Sequence, residues 1–436
     1  MPAHSARTIA RRRWRRLSAA LLVGAALLPC WVGCDRKPAD GEVRVVRLWA
    51  HQGQEKENAA MRAIADAFNA EHAAQKLRVE ITFYPDRQYA DKVSIAAFSK
   101  TLPDVLDVDG PYVGPWAAEG ILQPLDELID ETLRADLLSS LIEQGTYADH
   151  LYAVGAFDSA LVVYYNADVI ERAGLHPPEH VAEAWTWDEF VQALEQVKPL
   201  ATVPLSLHMD DASSEWFTYA FSPLLWSNGG QLIDDGRAVG VLDSPANIAA
   251  LTRWQQLFRD GLAEPTSTNP DPFSAGLAAF DWTGHWMLPR FEQKEGLRFG
   301  VMPLPKMGER FVAASGSWCW GISRDCGDRA AAWQVISWLL DPEHGIKPIV
   351  QANGAVPGRR SAFALFPEYE ELPRQLFREQ LEQAARARPR TPAYLTLTSE
   401  FAAALRDVAR GTDVARRLKE AAENVQRTLD RRGGDG

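Results

Sequence analysis

Cysteine is scarce in this chain, with 4 in 436 residues. That excludes a disulfide-stapled scaffold and leaves the fold to hydrophobic burial. There is no G-x-x-x-x-G-K-[ST] phosphate loop and no G-x-S-x-G turn, so P-loop nucleotide chemistry and the α/β-hydrolase mechanism have nothing to carry them. His176 and His180 stand four apart, but Pro177 and Pro178 between them prevent the helix that would aim both at one zinc ion. No metal and no cofactor is expected. Excess positive charge is missing too: the formal net charge is −12, which argues against nucleic acid or an anionic surface as partner.

Acids are absent from one region, since none precedes Asp35. Arg7, Arg11 to Arg13, Arg15 and Arg16 form a basic start, and Leu17 to Pro29 is an apolar run of signal-peptide length, too short to span a bilayer alone. Removing residues 1–33 takes away six arginines and no acid, moving the formal charge from −12 to −18. Trp31-Val32-Gly33-Cys34 resembles the lipobox of bacterial lipoproteins, with Trp31 where that motif usually has leucine. The resemblance implies cleavage before Cys34, its lipidation, and attachment to the outer face of the cytoplasmic membrane. Residues 34–41 read as a tether.

What remains is 46% hydrophobic and 24% charged over a length too great for one core, so two domains are expected. Val43 to Trp49 alternates as a strand, and Ala60, Met61, Ile64, Ala67 and Phe68 mark one face of a helix over 55–72. Leu77 to Phe83 and Asp104 to Val108 are further strands, giving a βαβ series and a parallel sheet. The loops following these strands then share one edge, placing Trp49, His51, Asp86, Asp109 and Tyr112 on a common rim. Simpler roles compete: His51 as cap of the following helix, Asp109 as cap of the Gly110-Pro111 turn.

Leu151 to Asn166, broken at Gly155 and Asp158, reads as a strand that leaves one sheet and enters another. Thr186-Trp187-Asp188-Glu189 has capping-box spacing, Val203 to Met209 is a strand, and Ser214 to Ser227 is a helix stopped at Asn228-Gly229-Gly230. Phe273 to Pro305 predicts a strand over 277–280, a break at Asp281-Trp282-Thr283-Gly284, a helix from Trp286, and a strand over 298–302. Two tryptophans flanking a glycine at such a junction suit the apolar face and hydroxyl edge of a sugar ring; core packing of one of them is the competing explanation. Cys319 and Cys326 are either a disulfide or two buried thiols.

Six segments in order carry a family resemblance: LPDVLDVDGPYVGPWAAEGILQPLDELI (102–129), LYAVGAFDSALVVYYNADVIERAGL (151–175), SPANIAALTRWQQLFRDGL (244–262), GLAAFDWTGHW (276–286), FVAASGSWCWGIS (311–323) and NGAVPGRRSAF (353–363). The chain resembles the extracellular solute-binding proteins of bacterial ABC importers, in the sugar-binding group that includes maltose-binding protein. The resemblance implies an α/β, two-lobed periplasmic-binding-protein fold (type II) with discontinuous lobes, a hinge and a central ligand cleft. Its lobes would be 42–157 with 302–340 and 158–301 with 341–432, the chain crossing near Phe157, Val301 and Leu340. It also implies a monomer that binds a carbohydrate without chemistry and delivers it to the permease transmembrane subunits.

The candidate ligand-binding residues are Trp49, His51, Asp86, Asp109, Tyr112 and Asp158 from the first half. Trp226, Trp282, Trp286, Ser315, Trp318 and Arg359 come from the second, with a surface ion pair the alternative for Arg359. A micromolar site needs about 8 kcal/mol after association costs, hence many contacts of about 1 kcal/mol each. Three alternatives stay open. One is another solute, such as a polyamine or metal–chelate. A second is a lipoprotein that presents its ligand to a sensor, and the third is a glycoside hydrolase using two of Asp86, Asp109 and Asp158.

Overall fold

The structure is a computed structural model that describes residues 43–210, 214–267 and 269–433, without the side chains of Asp86, Arg87 and Arg432. The basic start, Cys34 and the tether lie outside the described residues. Strand β1 (Arg44–Gln52) buries Val46, Leu48 and Ala50 on one face, and helix Glu55–Glu71 lays Met61, Ile64, Ala65 and Phe68 into the core beside it. β2 (Leu77–Pro85) runs parallel to β1 from Arg44↔Leu77 to Gln52↔Pro85, and β3 (Val105–Asp109) runs parallel on its other side. The carboxyl ends of all three therefore share one edge, as alternation and βαβ order predict.

The stretch read as one broken strand is a hand-over between sheets. After the short β4 (Leu122–Gln123) and the hairpin β5 (Thr146–Tyr147) and β6 (His150–Leu151), β7 (Ala153–Val154) belongs to the first sheet. β8 (Phe157–Asp158) lies between sheets, and β9 (Leu161–Asn166) is central in a second sheet of order β10–β11–β9–β12. There β10 (Val203–Ser206) is parallel to β11 (Ala278–Gly284), while β12 (Phe299–Met302) and β11 both run antiparallel to β9. β13 (Ala313–Ser315) follows, and β14 (Trp318–Ser323) returns to the first sheet, antiparallel to β3 with Trp318 opposite Asp109.

The first correction concerns residues 281–284. They are not a break: β11 runs through Gly284, with every residue buried between β10 and β9. A second concerns the crossing expected at Leu340. Helix Lys347–Asn353 still packs along helix Glu55–Glu71, and the Asn353 side chain donates to Glu57 Oε1 at 3.1 Å. Beyond it β15 (Val356–Pro357) pairs antiparallel with β8, and Arg359 and Ser361 still bond to Asp136. β16 (Ala385–Ala387) then pairs with β13, and helices Tyr394–Ala409 and Val414–Gly433 pack with helix Ser214–Ser227 and helix Pro245–Arg259 around the second core. Cys319 and Cys326 are buried free thiols. Among the described residues no helix is long and apolar enough to cross a membrane.

Candidate functional site

Between the sheets lies a cavity of about 340 Å³, in the size range of small-molecule sites. One wall comes from the carboxyl edge of the first sheet. His51 at the end of β1 stacks on Trp318 at the start of β14, ring centroids 3.8 Å apart and planes within 10° of parallel. Its Nδ1 meets Asp107 Oδ2 at 2.6 Å. Burial pushes the Asp107 carboxyl up, and His51 pulls it back down. Helix Glu55–Glu71 has no side-chain cap, so His51 does not cap it; the side chain is fixed from behind and lines the cavity.

The opposite wall is aromatic. Helix Ser214–Ser227 presents Trp216 and Tyr219, three apart and so on one helix face. Trp286 from the turn after β11 meets Trp216 edge-on at 6.2 Å and Tyr219 at 6.2 Å. Gly284 makes this possible, because a Cβ there would overlap the Trp286 ring. His285 beside it is buried: its Nδ1 donates to the Asn353 carbonyl at 3.0 Å, which leaves Nε2 to accept from Ser159 Oγ at 3.0 Å. Burial lowers its pKa to about 4, so the ring is neutral.

At one end of the cavity Arg388 ties the two walls together. Its Nη2 and Nη1 donate to Asp109 Oδ1 and Oδ2 at 2.6 and 3.1 Å, and Nη1 donates to Glu215 Oε2 at 2.7 Å. The guanidinium also lies over the Tyr219 ring, 5.0 Å from its centroid. Asp109 ends β3 of the first sheet; Glu215 opens the helix of the second lobe, where the helix dipole favours a carboxylate. Tyr394 and Tyr112 hydroxyls donate to Glu215 at 2.6 and 3.4 Å. Gly316, at φ +147°, keeps the space open, since a Cβ there would lie 2.9 Å from Arg388 Nη2.

Burial raises the Glu215 pKa to about 7, with Arg388 opposing and Asp109 adding to the rise. A carboxyl raised in the folded state stabilises it fully below its unfolded pKa, and that contribution is lost as pH rises through about 7. His285, depressed in the folded state, acts in the other sense: its contribution is present above about 6.5 and lost as pH falls toward about 4. Stability of Glu215→Gln measured by urea unfolding from about pH 4 to 8 should therefore lack the decline that the parent shows toward neutrality, leaving the His285 rise. Parallel curves for parent and variant would refute the assignment.

Of the candidates read from sequence, His51, Asp109, Trp286 and Trp318 line the cavity. Asp109 does so through Arg388, with no side-chain cap on the following turn. Seven others lie elsewhere, each for a physical reason. Trp49 packs edge-on against Tyr84 at 4.8 Å, outside the cavity lining. Tyr112 packs on Trp116 and Tyr394 behind the Arg388 cluster. Asp158 is fully buried in the crossing strand, accepting from Ser159 N and Gly316 N at 2.8 and 3.3 Å. Trp226 is buried under Arg386, whose guanidinium lies 4.6 Å from its ring centroid. Trp282 is 1% exposed and donates from Nε1 to the Ala220 carbonyl at 3.2 Å, a core residue of the second lobe. Ser315 is buried in β13 opposite Ala387. Arg359 pairs with Asp136 at 2.7 Å and donates to the Leu340 carbonyl at 3.1 Å. Asp86 opens helix Asp86–Ser99, and its side chain lies outside the described residues. The cavity adds Glu57, Ser159, Glu215, Trp216, Tyr219, His285, Asn353 and Arg388. Only the i, i+3 spacing of Trp216 and Tyr219 gave a signal.

Comparison with known proteins agrees with this two-lobed arrangement. The chain is 25% identical over 334 residues to the maltotriose-binding protein of Pyrococcus abyssi, spanning 73% of this chain and 67% of that one. Its fold is similar to that of the cyclic alpha-maltosyl-1,6-maltose binding protein from Arthrobacter globiformis, with TM-score 0.73 and 25% identity over 89% of this chain and 99% of that chain. UgpB from Mycobacterium tuberculosis, solved with glycerophosphocholine, shares the fold at TM-score 0.76 and 21% identity, covering 89% and 99% of the respective chains. Residues 63–374 match the family described as bacterial extracellular solute-binding protein, and the chain belongs to that family.

Proposed function

We propose that this protein captures a carbohydrate, a mono- or oligosaccharide, between its lobes and delivers it to the transmembrane subunits of an ABC importer. The observation that carries this is the pairing of aromatic faces on both walls with hydrogen-bonding groups between them. Trp216, Tyr219 and Trp286 face one side, Trp318 the other, and Gln52, Glu57, Ser159 and Asn353 supply edges. Sugar rings stack on such faces while their hydroxyls meet carboxylates and amides. The names of the maltotriose- and maltosyl-maltose-binding relatives support the same class. β8 and β15 form the hinge in this proposal, with the lobes rotating about the paired strands. Cys34 carries the lipid that keeps the protein at the outer face of the membrane.

The test is thermal unfolding against a panel of mono- and oligosaccharides, with polyamines alongside. A ligand at about 100 times its dissociation constant adds about 2.7 kcal/mol to the folded state, a clear rise in midpoint. A rise confined to one class of sugar is expected. A rise with polyamines alone would move the protein to another solute class, and release of product from a glycoside would make it an enzyme.

A further inference from the structure

We infer that the carbohydrate taken by this cleft carries a basic, protonated nitrogen: an amino sugar, or an oligosaccharide containing one. This rests on the carbohydrate reading above and narrows it. Among the described residues, the Asp, Glu, Lys and Arg side chains lining the cavity are Glu57, Asp109, Glu215 and Arg388, three carboxyl groups against one guanidinium. Arg388 gives both terminal nitrogens to Asp109 and Glu215, and only its buried Nε stays without a partner among the described residues, so its charge is already balanced before an acidic sugar or a phosphate arrives.

Glu57 is the group left over. It is 9% exposed, accepts only an amide hydrogen from Asn353 and has no ion pair among the described residues. Neither histidine supplies a compensating charge. His285 is buried, and burial disfavours its charged form, while any charge on His51 is balanced by Asp107 behind it. A buried carboxylate without a cation favours a ligand that brings one. The walls favour it as well, because the rings of Trp216 and Trp286 line the cavity and attract a cation through their quadrupoles, whereas Tyr219 already carries Arg388 and Trp318 carries His51. A neutral sugar would offer Glu57 only hydroxyls.

Matched pairs decide between the two. Glucosamine against glucose, galactosamine against galactose, and glucosamine oligomers against their N-acetylated and neutral counterparts are titrated into the purified protein by calorimetry. The expected result is one amine-bearing sugar bound at least about tenfold tighter than its uncharged partner. That ratio should shrink as salt is raised from about 50 to 500 mM and narrow further in Glu57→Gln. The salt series needs no variant, so a misfolded Glu57→Gln would not remove the test. Equal or tighter binding of the neutral or N-acetylated partner would overturn this inference and leave the carbohydrate reading standing. Binding of spermidine with no saccharide bound, or no binding by any sugar, would overturn both.

Discussion

Arg388→Met is expected to lose about 3–5 kcal/mol of stability, read as a lower urea midpoint at unchanged slope. The side chain is 4% exposed and neutralises two carboxylates that no other cation reaches among the described residues. Removing it strands Asp109 and Glu215 together in a low-dielectric site, where each raises the cost of the other's charge. The loss comes less from broken attraction than from uncompensated burial. Adding Asp109→Asn and Glu215→Gln to Arg388→Met should therefore recover much of the stability. Arg388→Lys should recover only part, since an ammonium cannot make the paired donation to both Asp109 oxygens. A single variant as stable as the parent, or a triple variant worse than the single, would refute the role given to this cluster. Because Asp109 belongs to the first sheet and Glu215 to the second lobe, the cluster also sets how the two walls of the cavity face each other.

Nothing in the sequence pointed to Arg388. It sits in Ala385-Arg386-Ala387-Arg388-Pro389-Arg390, a run of like charge whose default is a solvated surface. Its partners lie 279 and 173 positions away, and such pairing is set by tertiary packing alone. What was legible followed periodicity. The parallel order of β1, β2 and β3 came from alternation and one helix stripe, and it correctly put His51 and Asp109 on a common edge. The hand-over at 151–166 was visible because Gly155 and Asp158 interrupt an apolar run where a strand must change sheets. Glu57 was hidden for a different reason: it precedes the stripe that defined helix Glu55–Glu71, and an acid in a first turn is ordinarily explained by the helix dipole. That helix Lys347–Asn353 stays against helix Glu55–Glu71 was not legible: the crossing near Leu340 came from the family resemblance, and the helix stop at Asp341-Pro342 says nothing about what the chain packs on next.

Trp282 and Trp286 illustrate the limit most sharply, and they supply the second large prediction. Both are tryptophans two residues from Gly284, and from sequence both were ligand candidates. β11 is the reason Trp282 is not: the strand is buried on both faces and so shows no alternation, and 281–284 lacked the pattern of a strand. Trp282→Ala should accordingly cost about 3–5 kcal/mol in stability by opening a cavity among Phe190, Phe221 and Ala220. Trp286→Ala removes a half-buried ring from the cavity wall. It should leave the urea midpoint closer to that of the parent while weakening sugar binding by up to about tenfold. The two effects separate cleanly when unfolding and calorimetric titration are run on the same preparations. If Trp282→Ala kept its stability and lost binding, while Trp286→Ala bound normally, the indole at 282 would have to face the solute and the assignment of the aromatic wall would be wrong.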